Sequence, residues 1–140
     1  MGLELKPIGY VSTTAKEIPR SWQVSNVEGT LIIDEKYLQG LSDIKAGDQL
    51  YVIFHFHKSP EFSDQFMRIK PPVSDKKKGV FSTHSPIRPN PIGLSILEVL
   101  DIRANKLRVK GLDMLDGTPI WDIKPSDCPR NGKKKETGCD

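Results

Sequence analysis

Cysteine is scarce in this chain of 140 residues, which contains only Cys128 and Cys139. Neither belongs to a Cys-x-x-Cys pair, so the sequence indicates neither a zinc site nor a redox motif. Long apolar runs are also lacking: the N-terminal segment has no signal-peptide core, and no stretch is long enough to span a bilayer as a helix. We therefore expect a soluble, cytoplasmic protein that does not insert into a membrane.

A large charge of one sign is lacking as well. Twenty-one Lys and Arg residues against eighteen Asp and Glu give a formal net charge of +3, too small by itself to indicate nucleic-acid binding. The positive charge is concentrated locally in Lys76–Lys78 and in Lys133–Lys135. Short lysine runs are commonly solvated loops, and they serve equally well as phosphate contacts. Composition does not choose between these two readings.

Proline and glycine are plentiful, and their distribution predicts an all-β fold. Eleven of each are spread along a chain of single-domain length, which favours many turns, short strands and little helix. Periodicity and turn residues place the strands near residues 5–13, 27–33, 49–57, 66–70, 92–102, 106–112 and 120–123. We expect a closed or nearly closed antiparallel β-barrel with one or two short helices. The barrel is expected to occupy residues 1–125, followed by a polar, disordered tail at 126–140.

Two local patterns refine this prediction. Asp34 can cap a short helix over Glu35–Leu38 that ends near Gly40. In the strand at 49–57, alternation puts one set of side chains on one face and the histidines on the other. The first set is Val52, Phe54 and Phe56, and the second is Tyr51, Ile53, His55 and His57.

The stretch from Gly79 to Ser95 carries the strongest functional signal. It holds three prolines, and proline fixes its own φ and pushes the preceding residue toward extended geometry. The expected result is a stiff arch rich in hydrogen bonds, which a ligand could meet at little further cost in conformational entropy. A purely structural turn at a barrel corner is the alternative.

The three histidines raise the question of a metal. His55 and His57 lie two apart on a predicted strand, and His84 lies in the arch, so together they resemble an open three-ligand site. The pattern contains no carboxylate, which favours polar residues that line a pocket or an interface instead. We predict no metal at this site.

The arch resembles the signature of a known family. Ser85–Gly93 reads Ser-Pro-Ile-Arg-Pro-Asn-Pro-Ile-Gly and follows Gly-Val-Phe-Ser-Thr at Gly79–Thr83, as in the TsaA/TrmO family of S-adenosylmethionine-dependent tRNA methyltransferases. Further segments match in the same order along the chain: Pro19-Arg20, the Phe-His-Phe-His strand, 113–119 and 122–125. The resemblance therefore covers nearly the whole predicted barrel.

The resemblance implies a β-barrel homodimer that binds S-adenosylmethionine near the subunit interface. Matched position by position, it implies cofactor contacts from several separate segments. These are Pro19, Arg20 and Ser21, then His57 and Lys58, then His84 and Leu94, and finally Leu115, Asp116, Gly117 and Thr118. Leu94 would supply an apolar wall, and Asp116 and Thr118 would supply polar groups. Asp116-Gly117 is also an ordinary tight-turn dipeptide.

The implied reaction is methylation of the exocyclic N6 of a threonylcarbamoyl-adenosine beside the tRNA anticodon. Adenine's amino group is a weak nucleophile, so positioning and a proton acceptor are both needed. We predict Asp122 as the acceptor or orienting group, supported by Lys124, with Arg88 and Asn90 holding substrate phosphate or carboxylate. A local ion pair between Asp122 and Lys124 is the simpler alternative.

The anticodon-loop base also needs an aromatic partner, and Trp22 and Trp121 are the candidates for stacking. Each could instead be a core anchor, which we expect for Trp121. The chain departs from the family pattern at two notable positions: His84 stands where the family has arginine, and Ser126 where it has tyrosine. Methylation of another RNA or of a small molecule, or a non-catalytic binding module, are therefore the alternative functions.

Overall fold

The computed structural model describes residues 2–72 and 74–127, and its centre is a closed barrel of six antiparallel strands. The barrel strands are β1 (Gly9–Ser12), β2 (Glu28–Ile33), β3 (Gln49–His55), β6 (Ile92–Arg103), β7 (Lys106–Lys110) and β8 (Pro119–Pro125). They follow one another around the barrel in the order β1-β2-β7-β6-β3-β8. The strands β4 (Arg68–Ile69) and β5 (Lys78–Gly79) form a separate two-stranded hairpin. The predicted antiparallel barrel is confirmed.

Period-two alternation explains why these strands close around one core. In β3 every second side chain is buried, namely Leu50, Val52 and Phe54, while the residues between them are half-buried on the outer face. The same alternation in β7 buries Leu107 and Val109 completely. Burial of such side chains contributes roughly 1.5–3 kcal/mol each and is the main source of stability here.

The residues between His55 and Ile92 form a long connection from β3 to β6. This connection contains the hairpin and the arch, and it returns to the barrel end that it left, because β3 and β6 pair antiparallel through His55↔Ile92. At the same end, Phe54 is also paired with Ile120 of β8. We call this the site end of the barrel: the C-terminal ends of β1 and β3 and the N-terminal ends of β6 and β8.

The helices of the described residues are all short 3₁₀ segments: Trp22–Val24, Glu35–Leu41, Asp64–Phe66 and Val80–Ser82. The predicted helix after Asp34 is confirmed, and the Asp34 side chain accepts a hydrogen bond from the Lys36 backbone N at 3.1 Å. Among the described residues, no helix has the length and apolar character needed to cross a bilayer.

Several predicted strands were too long. The first begins at Gly9 rather than at residue 5, and the segment 66–70 is a strand only at Arg68–Ile69. The strand at 49–57 ends at His55. Phe56 N still donates to Pro91 O at 2.8 Å, in register with the His55↔Ile92 pair, but Pro91 has no N–H to donate in return. His57 lies beyond the end of the strand and does not share a strand face with His55. The prediction from alternation was wrong at this residue.

Some of the sequence predictions fall on residues that the structure does not describe. These are Cys128, Cys139, the lysines at 133–135 and most of the predicted tail at 126–140. Ser126, the first residue of that predicted tail, is buried, and its backbone N donates to Gln49 O at 2.9 Å.

Candidate functional site

The predicted cofactor positions come from five separate segments that gather at the site end of the barrel. Pro19–Ser21 follow β1, His57 and Lys58 follow β3, His84 and Leu94 lie just before and within the start of β6, and 115–118 precede β8. Because antiparallel neighbours alternate direction, these segments meet although up to about a hundred residues separate them in sequence. The tertiary fold thus brings the predicted set together.

Asp113 is the hydrogen-bonded centre of this arrangement. Its Oδ1 accepts from the Ser95 hydroxyl at 2.6 Å, and its Oδ2 accepts from the Trp22 backbone N at 2.8 Å. One carboxylate thereby connects the 3₁₀ helix after Ser21, the strand residue next to Leu94 and the loop that leads to Leu115. The adjacent Leu112 O accepts from the Ser25 hydroxyl at 2.6 Å and holds the same helix from its other side.

The loop 115–118 is attached firmly to β1. Gly117 N donates to Val11 O at 2.7 Å, and Asp116 Oδ1 accepts from Thr13 N at 2.9 Å. Gly117 has a positive φ of 82°, which explains why glycine stands there. Thr118 is buried, and its hydroxyl donates to Leu115 O at 2.6 Å. This hydrogen bond closes the turn at 115–118. Leu115, Asp116 and Gly117 are exposed.

The arch is held by its own side chains. Arg88 Nη1 donates to Thr83 O at 3.0 Å and to Ser85 O at 3.2 Å, on either side of His84. The arch is also tied to the loop after β3, because the Ser59 hydroxyl donates to Pro86 O at 2.9 Å. Arg88 thus shapes the arch around His84 in addition to its predicted contact with substrate, whereas Asn90 is exposed beside it.

His57 lies in a tight turn at the site end. Its backbone N donates to His55 O at 2.8 Å, and the side chain is half-buried. Burial is the main cause that lowers the pKa of the His57 imidazole, and the neighbouring Lys58 and His55 lower it further. The imidazole is therefore neutral near pH 7. His84, Lys58 and Arg20 are exposed.

A row of paired residues crosses the outer face of the barrel from the predicted cofactor wall to the predicted proton acceptor. Leu94 is paired with Ile53, and Ile53 is paired with Asp122 on its other side. Two interstrand spacings separate Leu94 from Asp122, about 10 Å between backbones. Asp122 Oδ2 lies 3.5 Å from Lys124 Nζ, so the ion pair that the sequence left as an alternative is present, with both side chains more than half exposed.

Of the two tryptophans, it is Trp22 and not Trp121 that packs on the core. Trp22 packs against the core cluster, whereas Trp121 lies in a β-bulge and stacks on His55 with ring centroids 5.5 Å apart. The expectation of a core position for Trp121 was therefore wrong, since the bulge turns its ring toward the outer face. His55 is held by this stacking.

Within the described ranges, His, Cys, Asp and Glu form no group of three or more that could hold a metal.

In the single chain the candidate site is an open surface. Leu94 is 52% exposed and Leu115 is 44% exposed, although both are apolar. A cleft of about 410 Å³ lies instead at the opposite end of the barrel, lined by Gly47–Leu50 and Ile123–Asp127. Of the predicted site residues only Lys124 lines that cleft. The gathered loops, rather than the cleft, are the candidate site, because five predicted segments meet there.

Sequence reasoning assigns no role to Asp113 or Ser95. Asp113 belongs to one of the matching segments, and Ser95 is the last residue of the arch. Asp113 has hydrogen-bond partners 18 and 91 residues away, so no local pattern could have indicated their function. Ser95 is a buried polar residue within an apolar strand, a pattern that hints at a specific hydrogen bond.

Comparisons with known proteins point to one family. A family model described as the tRNA-methyltransferase O N-terminal domain matches residues 10–127. An Archaeoglobus fulgidus protein named S-adenosyl-L-methionine-binding protein is 39% identical over 123 residues, which is 86% of this chain and 86% of that protein. The human tRNA (adenine(37)-N6)-methyltransferase is 31% identical over 139 residues and 90% of this chain.

The solved structures agree as well. The crystal structure of TrmO from Pseudomonas aeruginosa matches with a TM-score of 0.64 and 32% identity over 89% of this chain. The chain spans 56% of that bacterial protein and 31% of the human one, so it corresponds to one part of these longer proteins.

Proposed function

The chain belongs to the tRNA-methyltransferase O N-terminal domain family, and from that premise we propose that it is an S-adenosylmethionine-dependent methyltransferase that acts on tRNA. The observation that carries the proposal is the convergence of five predicted cofactor segments on Asp113 and the arch at one barrel end. The names of the human and archaeal relatives support the reaction and the cofactor respectively.

The chemistry of the site fits S-adenosylmethionine. Exposed Leu94 and Leu115 offer an apolar surface to adenine, and the exposed backbone of the Asp116–Gly117 turn allows close approach to the polar parts of the ligand. The lowered pKa of His57 keeps its imidazole uncharged near pH 7, which suits a ligand that carries a positive sulfonium. When bound, the cofactor supplies an electrophilic methyl group.

The residues of the chain would orient the acceptor base and take up its proton. In this proposal the carboxylate of Asp122 accepts the proton that the adenine N6 loses, or orients the amine before transfer. Lys124 Nζ, 3.5 Å away, pairs with this carboxylate on the outer face of the barrel. Positioning of the amine carries much of the rate, because adenine N6 is a weak nucleophile.

The substrate that we propose is threonylcarbamoyl-adenosine next to the tRNA anticodon. Arg88 and Asn90 are the groups we assign to its carboxylate or to the adjacent phosphate, because both belong to the arch beside His84. The Trp121 ring, stacked on His55 at the outer face, is the surface that we assign to the splayed base. The enzyme would act in the cytoplasm, where mature tRNA is used.

The open site in one protomer supports the proposed homodimer. A bound small ligand commonly has 70–90% of its surface buried, and the exposed loops of a single chain would cover less. Ile92 and Leu94 add an apolar strip to the outer face at this end, which a second copy would cover.

An S-adenosylmethionine-binding protein with a different acceptor is the second candidate function. One ground for it is that His84 stands where the family has arginine. The other is that the Archaeoglobus relative, of which the chain covers 86%, is named only as an S-adenosyl-L-methionine-binding protein. This candidate shares the cofactor and differs only in the molecule that is methylated or recognised.

Two measurements test these proposals. Calorimetry with S-adenosylmethionine should give saturable binding, and its absence would remove both candidates. Transfer of labelled methyl groups to total tRNA, followed by nucleoside analysis, should yield N6-methylated threonylcarbamoyl-adenosine. Binding without methylated tRNA would favour the second candidate over the first.

A further inference from the structure

The β4–β5 hairpin holds the positive charge of the described chain. Its cationic side chains are Arg68, Lys70, Lys76, Lys77 and Lys78. Between residues 68 and 78 they face one carboxylate, Asp75, which gives a formal charge of +4. The other described residues include twelve Lys and Arg and fifteen Asp and Glu, a formal charge of −3. Among the described residues the hairpin is thus a positive patch, and the remainder carries a net negative charge.

These cations are exposed and lie apart from the ion pairs that the structure describes. All five side chains are exposed. The ion pairs within the described residues join other positions: Lys36–Asp34, Arg103–Asp101, Arg108–Glu28 and Lys124–Asp122. Closely spaced like charges repel, and a polyanion bound across them would relieve that repulsion.

The hairpin presents its charges from a fixed position. Arg68 Nη2 donates to Lys77 O at 3.2 Å across the hairpin, and Val80 N extends the pairing by donating to Met67 O at 2.8 Å. Val80 is only 1% exposed and anchors the base of the hairpin in the protein interior. These hydrogen bonds hold the two strands of the hairpin together before a ligand binds.

The hairpin also adjoins the candidate site. It belongs to the connection from β3 to β6, which leaves and rejoins the barrel at the site end. Lys78 is followed directly by Gly79 and the arch, in which Thr83 accepts a hydrogen bond from Arg88. A polymer whose base lies at the arch would have its backbone within reach of the hairpin.

We propose that the β4–β5 hairpin binds the sugar–phosphate backbone of the RNA whose base enters the candidate site. The proposal rests on the function proposed above, because an RNA substrate is what puts a polyanion beside the arch. The ammonium groups of Lys76–Lys78 pair with phosphate oxygens and release condensed counterions, which supplies affinity without reading sequence. Base contacts at the arch then supply the specificity.

The test is the salt dependence of RNA binding. Binding of a synthetic anticodon stem-loop RNA is followed by fluorescence anisotropy at salt concentrations from about 50 to about 200 mM. The variant Lys76→Gln/Lys77→Gln/Lys78→Gln should reduce the slope of log K against log salt by about 2 and weaken binding at least about 10-fold at low salt.

A matched control removes the same charge from the opposite end of the barrel. The variant Lys6→Gln/Lys45→Gln/Lys106→Gln changes three exposed lysines and should leave the slope within about 0.5 of the wild-type value. Both variants should bind S-adenosylmethionine as the wild type does, which shows that they are folded. Equal losses in the two variants would mean that net charge alone governs binding and would overturn the proposal.

The remaining outcomes separate this proposal from the proposed function. If the wild type methylates tRNA while the hairpin variant keeps the wild-type slope, the hairpin proposal is wrong and the function stands. If the hairpin variant loses RNA binding but the wild type methylates no tRNA, the proposed function is wrong, and the proposal that the hairpin binds RNA is retained. Loss of binding to phosphatidylserine vesicles without any change in RNA binding would identify a membrane surface and also overturn the proposal.

Discussion

The hydroxyl of Ser95, buried inside the barrel, donates to Asp113 Oδ1 at 2.6 Å. Ser95 follows Leu94 on β6, and Asp113 opens the loop that contains the 115–118 turn. Since Asp113 Oδ2 also accepts from the Trp22 backbone N, this one carboxylate fixes three cofactor segments relative to the barrel. Hydrogen bonds to a charged acceptor are stronger than neutral ones, so the carboxylate holds the site together effectively.

Asp113→Asn should therefore loosen the site and destabilise the fold. The amide keeps one acceptor and replaces the other with a donor. With its oxygen turned toward the Trp22 backbone N, its Nδ2 must donate to the Ser95 hydroxyl, whose own buried proton then loses the acceptor it has in the wild type. We expect a loss of about 1–3 kcal/mol in the free energy of unfolding, measured by urea titration, together with weaker S-adenosylmethionine binding. The same change at exposed Asp43, at the opposite end, should stay within about 0.5 kcal/mol. Equal effects at both positions would contradict the role of Asp113.

Asp122→Asn separates the chemical role of Asp122 from its ion pair with Lys124. Both side chains are more than half exposed, so loss of the pair should change stability by less than about 1 kcal/mol. Methyl transfer should fall by about 10²-fold or more while S-adenosylmethionine binding is unchanged. The control is Asp34→Asn, which removes another exposed ion pair, the one between Asp34 and Lys36 at 4.0 Å. This variant should leave methyl transfer intact. Full activity in Asp122→Asn would remove the assignment.

The lowered pKa of His57 predicts a pH dependence of stability. The unfolded chain takes up a proton at this histidine near pH 6.5, whereas the folded chain does so only at lower pH. The unfolded state therefore binds more protons as the pH falls below about 6.5, and the folded state loses stability there. Above that pH the contribution is fully retained.

We expect His57→Gln to flatten this dependence. The free energy of unfolding of the wild type should fall more between about pH 7 and about pH 5 than that of the variant, as measured by urea titration at several pH values. His84→Gln, which changes an exposed histidine, serves as the control and should keep the wild-type profile. Identical profiles for the wild type and His57→Gln would refute the prediction.

Gly93→Ala should disturb the start of β6. A Cβ at this position would come within 2.2–2.7 Å of the Phe54 ring, which packs on the glycine from β3. We expect a loss of about 1–3 kcal/mol in stability, because the buried ring must move and Leu94 follows directly in the strand. Gly79→Ala is the matched control, since a Cβ there meets nothing within 4 Å. A stable Gly93→Ala protein would mean that the Phe54 ring moves without cost.

His84→Arg tests the departure from the family pattern. A permanently charged guanidinium would hold the cofactor carboxylate better than an exposed imidazole near pH 7. We expect the dissociation constant for S-adenosylmethionine to fall about two- to fivefold, an effect of the size of one exposed charge pair. Calorimetry at pH 7 checks this, and His84→Gln provides the uncharged reference. An unchanged dissociation constant would mean that the cofactor carboxylate does not lie near residue 84.

The fold class, one short helix and the family could all be predicted from the amino-acid sequence alone. Alternation in β3 and β7 could be read without the structure, because a strand with one face in the core must alternate, and Asp34 caps the next turn through a local hydrogen bond. The arch was equally readable, since three prolines restrict the backbone through their own rings.

Where the strands stop, which tryptophan packs on the core and what holds the site together depend on the tertiary structure. β3 ends at His55 because the next position in register on the partner strand is Pro91, which has no N–H to donate, and Trp121 lies in a β-bulge of β8. The roles of Ser95 and Asp113 depend on partners distant in sequence, and the hairpin became a surface only when its charges proved exposed beside the arch. Local patterns encode periodicity and backbone restriction, whereas contacts between distant segments exist only after the barrel has closed.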